Sequence, residues 1–206
     1  MKTINSINFL KNCATLAFVG ILLMSGCKKD DNDVDDPQDH HDDDAELITS
    51  MVLDFSDTAN VQPNVTAAFR DPDGEGGNTA TEFDTITLAA NTVYSVKITL
   101  LDESKNPAVK ISDEVKTEGD EHLFCYEVTG ANINVARTDS DGKYEIGLDS
   151  RWTVAAASNG TVKVSLKHQP GVKNGACGVG DTDVEVNFIT EINEVLGFKK
   201  HNLSTF

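Results

Sequence analysis

Apolar and polar residues alternate along much of the chain from Leu47 onwards. The clearest case is Thr92–Leu101 (TVYSVKITLL), in which Tyr94, Val96, Ile98 and Leu100 fall on one side of an extended chain. Because a period of two puts every second side chain on the same face, this pattern predicts a half-buried β-strand. Similar runs bounded by Gly, Pro, Asn or Asp predict further strands at Leu47–Phe55, Asn64–Phe69, Leu123–Val128, Asn132–Ala136, Arg151–Ala155, Thr161–His168 and Asp183–Ile189.

About eight strands at this spacing predict an all-β fold, in the form of a single antiparallel β-sandwich of the immunoglobulin-like type. Long helical patterns do not separate the strands, which argues against a doubly wound parallel sheet. The acidic stretch Ala108–Glu121 is a helix candidate, although an extended charged loop explains it equally well because Gly119 weakens a helix. Residues 47–206 have the length of one domain with a core of its own.

The first 27 residues have the pattern of a lipoprotein signal peptide. Lys2 and Lys11 accompany an apolar run, Ala14–Met24, that is too short for a convincing membrane span, and Leu22–Cys27 reads LLMSGC. We therefore expect residues 1–26 to be removed and Cys27 to carry acyl chains that anchor the protein in the outer membrane. The alternative is an ordinary secretory signal that happens to contain a cysteine.

The segment that follows the cysteine, residues 27–46, is strongly acidic. Lys28–Glu46 (KKDDNDVDDPQDHHDDDAE) holds ten acidic residues against two lysines, so it cannot bury enough surface to offset the entropy of ordering it. We expect a disordered tether. Its Cys-Lys-Lys-Asp-Asp opening resembles the surface-export signal of Bacteroidota lipoproteins, which implies a location on the cell exterior; a periplasm-facing lipoprotein with an acidic linker is the alternative.

The net charge of −17 argues against a nucleic-acid partner, because phosphate binding needs a basic surface. The sequence also lacks a nucleophile elbow, an HExxH motif and a phosphate-binding loop. We therefore expect a binding module and no enzyme.

Several blocks of the chain resemble the corresponding blocks of a known group of proteins. These blocks are Asp71–Asn78 (DPDGEGGN), Ile86–Ser104, Asp120–Phe124 (DEHLF), Leu166–Pro170 (LKHQP) and Gly180–Val186. Together they resemble a family of small all-β Bacteroidota lipoproteins often labelled as a type 1 periplasmic binding fold superfamily. That label implies two α/β lobes, for which this chain has neither the length nor the pattern. The family is uncharacterised, so the resemblance implies no particular chemistry.

One candidate site is a calcium loop. Its oxygen-bearing ligands would be Asp71, Asp73, Glu75 and Asn78, interleaved with glycines that let the backbone fold around an ion. The run is not an EF-hand, and a plain Asp-Gly turn is the alternative. Asp139, Asp141 and Gly142 (TDSDGKY) repeat the pattern more weakly, and a turn between two strands is the alternative there.

A second candidate site is formed by histidines. His122 and His168 each fall at a strand end, where imidazole could meet zinc, copper or a haem iron. His40 and His41 in the acidic tether are a second place for loose zinc or copper capture. The alternatives are hydrogen-bonded or surface histidines, and a merely solvated linker.

Cysteine supplies a third candidate. With Cys13 removed and Cys27 lipidated, Cys125 and Cys177 remain in a compartment that permits disulfides, and a bridge between them is the simplest expectation. Cys125 could instead be a small buried side chain, or could join His122 in a metal site.

These features lead to two functional hypotheses. The first is a surface lipoprotein that captures a metal ion or metal complex beside an outer-membrane transporter. The second is an adhesive or structural module that is stabilised by calcium and binds glycan or protein; in either case we expect Trp152, the single tryptophan, to lie in the core.

Overall fold

The computed structural model describes residues 47–74 and 77–194, and these residues form a mostly β fold with one short helix. The strands are β1 (Ser50–Asp57), β2 (Val65–Arg70), β3 (Glu82–Phe83), β4 (Ile86–Ala89), β5 (Val93–Leu101), β6 (His122–Thr129), β7 (Ile133–Arg137), β8 (Asp149–Val154), β9 (Ser158–His168) and β10 (Asp181–Asn193). The all-β prediction is confirmed. Each of the predicted strands corresponds to one of these elements, whereas β3 and β4 were not predicted because they are too short to show a pattern.

The described strands belong to two sheets. One has the order β3-β2-β1-β5-β8-β7, and the other has the order β4-β10-β9-β6. Neighbouring strands are antiparallel except β4 and β10, which run parallel. The expectation of a wholly antiparallel arrangement is therefore wrong at this edge, because the chain crosses from β3 to the other sheet through Asp84 and Thr85 and enters it beside β10.

The inner faces of the two sheets share one hydrophobic core. Trp152 is fully buried on β8, with its ring edge-on to Phe55 at 5.1 Å and to Tyr126 of the other sheet at 5.9 Å. On β5 the alternation read from the sequence is observed directly, since Tyr94, Val96 and Ile98 are buried. The side chains of Ser95 and Lys97, which alternate with them, are exposed. Burial of each large side chain of this kind contributes roughly 1.5–3 kcal/mol to folding.

The helix α1 (Ile111–Thr117) covers one end of the core next to β5. It lies within the predicted candidate stretch, buries Ile111 and Val115, and ends before Gly119. Among the described residues, no helix is both long and apolar enough to cross a membrane. Only the four residues 118–121 separate the end of α1 from the start of β6 at His122, so the helix terminus and the start of that strand lie close together.

Candidate functional site

Several of the predicted site residues lie outside the described part of the chain. They are Cys27, His40, His41 and Glu75. The lipid anchor, the tether and one of the four suggested calcium ligands therefore stay predictions.

The structure brings His122 and His168 together. They are register partners where β6 begins and β9 ends, and their rings are stacked with centroids 4.9 Å apart and planes inclined by only 10°. His122 is buried, whereas 31% of the His168 side chain is exposed. A pair 46 residues apart in sequence thus becomes one surface-accessible cluster through strand pairing.

Hydrogen bonding orients the buried ring. His122 Nδ1 lies 3.1 Å from the carbonyl oxygen of Glu118, just after the end of α1. Because a carbonyl can only accept a hydrogen bond, this contact favours the tautomer in which Nδ1 carries the proton and Nε2 keeps its lone pair. An outer hydrogen bond to one ring nitrogen is also how proteins orient histidines that bind metals through the other.

Carboxylates surround the two imidazoles. Glu121 Oε2 lies 3.6 Å from His168 Nε2, and Asp181 is the register partner of His168 on β10. Asp183 lies at the irregularity between Thr182 and Val184, so it has no register partner in that ladder. Burial raises the pKa of the Asp183 carboxyl, and the electrostatic interactions with His168 and His122 act in the opposite direction. Nothing in the sequence marked Asp183 as a candidate site residue, because it is the irregularity in the strand register between Thr182 and Val184 that brings it close to the histidines.

This arrangement limits which metal species could bind. Within residues 47–74 and 77–194, no group of three or more His, Cys, Asp or Glu side chains has the geometry to hold a metal ion. The site therefore offers two imidazoles and would leave the other coordination positions to water or to the ligands of an incoming complex.

The two cysteines are bonded. Cys125 on β6 and Cys177 in the loop between β9 and β10 form a disulfide with a sulfur–sulfur distance of 2.03 Å. Arg137 covers it, with Nη2 3.3 Å from Cys177 Sγ and Nε donating to the Phe124 carbonyl oxygen at 2.6 Å. Cys125 is therefore not available as a metal ligand beside His122.

In the loop around Asp139 and Asp141, groups of the protein itself make hydrogen bonds to both oxygens of the Asp141 carboxylate. Asp141 Oδ2 accepts a hydrogen bond of 2.9 Å from the ammonium of Lys173, while Oδ1 accepts from the N–H groups of Lys143 and Tyr144. Burial acts to raise the pKa of Asp141, but the hydrogen bonds from the Tyr144 N–H and from Lys173 outweigh it and bring the pKa to about 2. Sequence reasoning missed Lys173, because an isolated lysine in a loop carries no signal.

The loop that begins at Asp71 has the contacts of a turn. Asp73 Oδ2 accepts hydrogen bonds of 2.7 Å from both the backbone and the side-chain nitrogen of Asn78. Asn78 therefore acts as a donor there. Asp71 has one buried carboxylate oxygen without a hydrogen-bond partner among the described residues, and burial together with the neighbouring Asp73 raises its pKa.

Comparison with known proteins adds no relative: the chain matches no family model, no curated protein and no solved structure. The functional argument therefore depends on the residues themselves.

Proposed function

We propose that this protein is a non-enzymatic binding module that captures a transition-metal ion, or a small metal complex, through His122 and His168. The observation that carries the proposal is the stacking of the two imidazoles at 4.9 Å. Imidazole is a preferred ligand of zinc and copper, and a site with two imidazoles would leave open coordination positions, which an exchangeable cargo needs. The surrounding carboxylates Glu121, Asp181 and Asp183 supply negative charge that attracts a cation.

We further propose that the module is a lipoprotein of the outer membrane that faces the cell exterior and works beside an uptake transporter. The support is the signal-peptide pattern, Cys27 and the acidic tether with His40 and His41. An acidic, histidine-bearing segment beside the folded domain would raise the local concentration of metal there. Membership of the small Bacteroidota lipoprotein family, and an immunoglobulin-like arrangement of the two sheets, belong to the same proposal; the shared core supports the latter.

The test is a metal titration of the full chain by calorimetry and thermal melting. Because a ligand that binds only the native state raises its melting temperature, zinc or copper should stabilise the protein. His168→Gln should weaken binding to the folded domain by tenfold or more, and it should fold normally since this side chain is partly exposed. The control His40→Ala/His41→Ala isolates the contribution of the tether.

The proposal fails if neither metal binds, or if binding in the His40→Ala/His41→Ala background survives His168→Gln. Either result would leave the stacked histidines as a packing contact between β6 and β9.

A second candidate is a calcium-stabilised adhesive or structural module that binds glycan or protein. The observation in its favour is a buried oxygen of Asp71, next to the Asp73 carboxylate, that has no hydrogen-bond partner in the described part of the chain. Calcium takes oxygen ligands of this kind. A rise in melting temperature with calcium that is lost in Asp71→Asn, together with indifference to zinc and copper, would favour this function over metal capture.

A further inference from the structure

A cleft of about 510 Å³ opens between α1, β5 and the loop that joins β7 to β8. Its base is formed by Ile98, Ile146 and Leu148, which are buried side chains of the core. This volume falls within the range of small-molecule sites, roughly 300–1,000 Å³. The cleft is separate from the histidine pair, since neither His122 nor His168 lines it.

A buried polar group in this cleft lacks a partner. Ser112 is 5% exposed and lines the cleft, yet its hydroxyl oxygen makes no hydrogen bond to any described residue. Buried hydroxyl groups in native proteins are almost always hydrogen-bonded, so an unpartnered one calls for a ligand or a water molecule. The hydroxyl thus points to a bound species with a donor or acceptor of its own.

The cleft also holds two lysines that take no part in the ion pairs of the described residues. Lys97 and Lys116 line it and form no ion pair with a described residue. Asp54 and Asp149 are the register partners of Lys97 on the adjacent strands, yet its ammonium forms an ion pair with neither. Elsewhere on the surface, by contrast, Lys163 reaches two carboxylates.

Carboxylates also line the cleft. Asp120, Asp139 and Asp149 line the cleft and likewise form no ion pair with a described residue. Burial raises the pKa of Asp139, and the nearby charge of Asp149 adds to the effect, so a cation placed beside them would be favourable. The remaining charges, by contrast, are satisfied, because Lys110 pairs with Asp113 and Asp141 with Lys173.

We propose that this cleft binds a small zwitterion, namely an amino acid or a short peptide. Its carboxylate would meet Lys97 and Lys116, its ammonium would meet Asp139 and Asp149, and the Ser112 hydroxyl would complete the hydrogen bonding. A ligand that is only anionic would face the carboxylates, and one that is only cationic would face the lysines. None of the described residues that line the cleft is aromatic, so they do not supply a platform on which a sugar ring could stack.

The test is calorimetric titration of the full chain with dialanine and two blocked forms of it. N-acetyl-dialanine lacks the ammonium, and dialanine amide lacks the carboxylate. Dialanine should bind with a Kd below about 1 mM, and each blocked peptide should bind at least tenfold more weakly, because each leaves one set of charges unpaired. Absence of binding up to about 10 mM dialanine, or equal binding of the blocked forms, would overturn the proposal.

Variants locate the binding. Lys97→Met and Asp149→Asn should each weaken dialanine binding tenfold or more, whereas Lys143→Met, an exposed lysine outside the cleft, should leave it unchanged. Ser112→Ala should weaken binding severalfold without lowering the melting temperature of the free protein, because the hydroxyl has no partner to lose. Unaltered binding in Lys97→Met and Asp149→Asn would show that dialanine binds elsewhere and would contradict the assignment.

Discussion

Two polar clusters flank the start of the loop between β9 and β10, and they differ in how completely the protein satisfies them. In the first, Lys173 and Asp141 are buried against each other, and the lysine also donates to the Gly119 carbonyl oxygen. In the second, His122 and His168 are stacked and one of the two is partly exposed. The contrast teaches that a polar cluster whose partners all come from the chain is structural, whereas one with spare ligand capacity is a candidate for binding.

The largest effect should come from breaking the first cluster, the buried ion pair of Lys173 and Asp141. Lys173→Met leaves the Asp141 carboxylate buried without its cation, and loss of one partner of a buried pair costs about 3–5 kcal/mol. Chemical denaturation of the full chain should show this loss, and Lys143→Met should show almost none. If Lys173→Met unfolds at the same denaturant concentration as the wild type, the pair does not stabilise the fold.

The disulfide anchors the same loop by a covalent route. Replacing both Cys125 and Cys177 by Ser releases residues separated by 52 positions in sequence, which should cost about 2–4 kcal/mol by the loop-entropy argument. Thermal melting measures the loss. The comparison predicts that zinc or copper affinity survives this change, because neither sulfur belongs to the histidine pair; a parallel loss of affinity would mean that the loop shapes that site.

Acidification should change the free energy of unfolding in opposite directions in the two clusters, through Asp141 in the first and through Asp183 beside the second. The pKa of Asp141 lies at about 2 in the folded protein, below the usual 3.8, so its contribution is present above pH 4 and is lost as the pH falls towards 2. The pKa of Asp183 is raised, so burying its charged form is unfavourable, and stability is gained as the pH falls through its folded pKa. Denaturation series between about pH 2 and pH 6 should therefore show a weaker acid loss in Asp141→Asn and a steeper one in Asp183→Asn; the reverse pattern would contradict the burial argument.

The smallest effect concerns Asp139. Because burial raises the pKa of its carboxyl, Asp139→Asn removes an unfavourable charge and keeps an oxygen that can accept from the Gly147 N–H. The free energy of unfolding at pH 7 should rise by less than about 1 kcal/mol. A clear destabilisation would show that a cation already compensates this carboxylate in the free protein.

The sequence was informative wherever a local pattern determined the structure. The alternation in Thr92–Leu101 predicted which face of β5 is buried, and the ends of β6 and β9 were anticipated at His122 and His168. The two-residue strand β3 and the parallel placement of β4 were missed, because they depend on contacts with other strands and not on their own residues.

The same distinction applies to the candidate sites. Individual histidines and cysteines could be named from chemistry, but the direct pairing of His122 with His168 follows from the register of β6 with β9. The sequence did not mark three other residues of these sites, because their importance arises from burial and from distant partners. They are Lys173, Asp183 and Ser112.

The most direct measurement of the central claim is electron paramagnetic resonance of Cu²⁺ bound to the full chain in the His40→Ala/His41→Ala background. The account predicts copper coupled to two imidazole nitrogens, reduced to one in His168→Gln. A spectrum of unbound copper, or one that His168→Gln leaves unchanged, would contradict metal capture by the histidine pair.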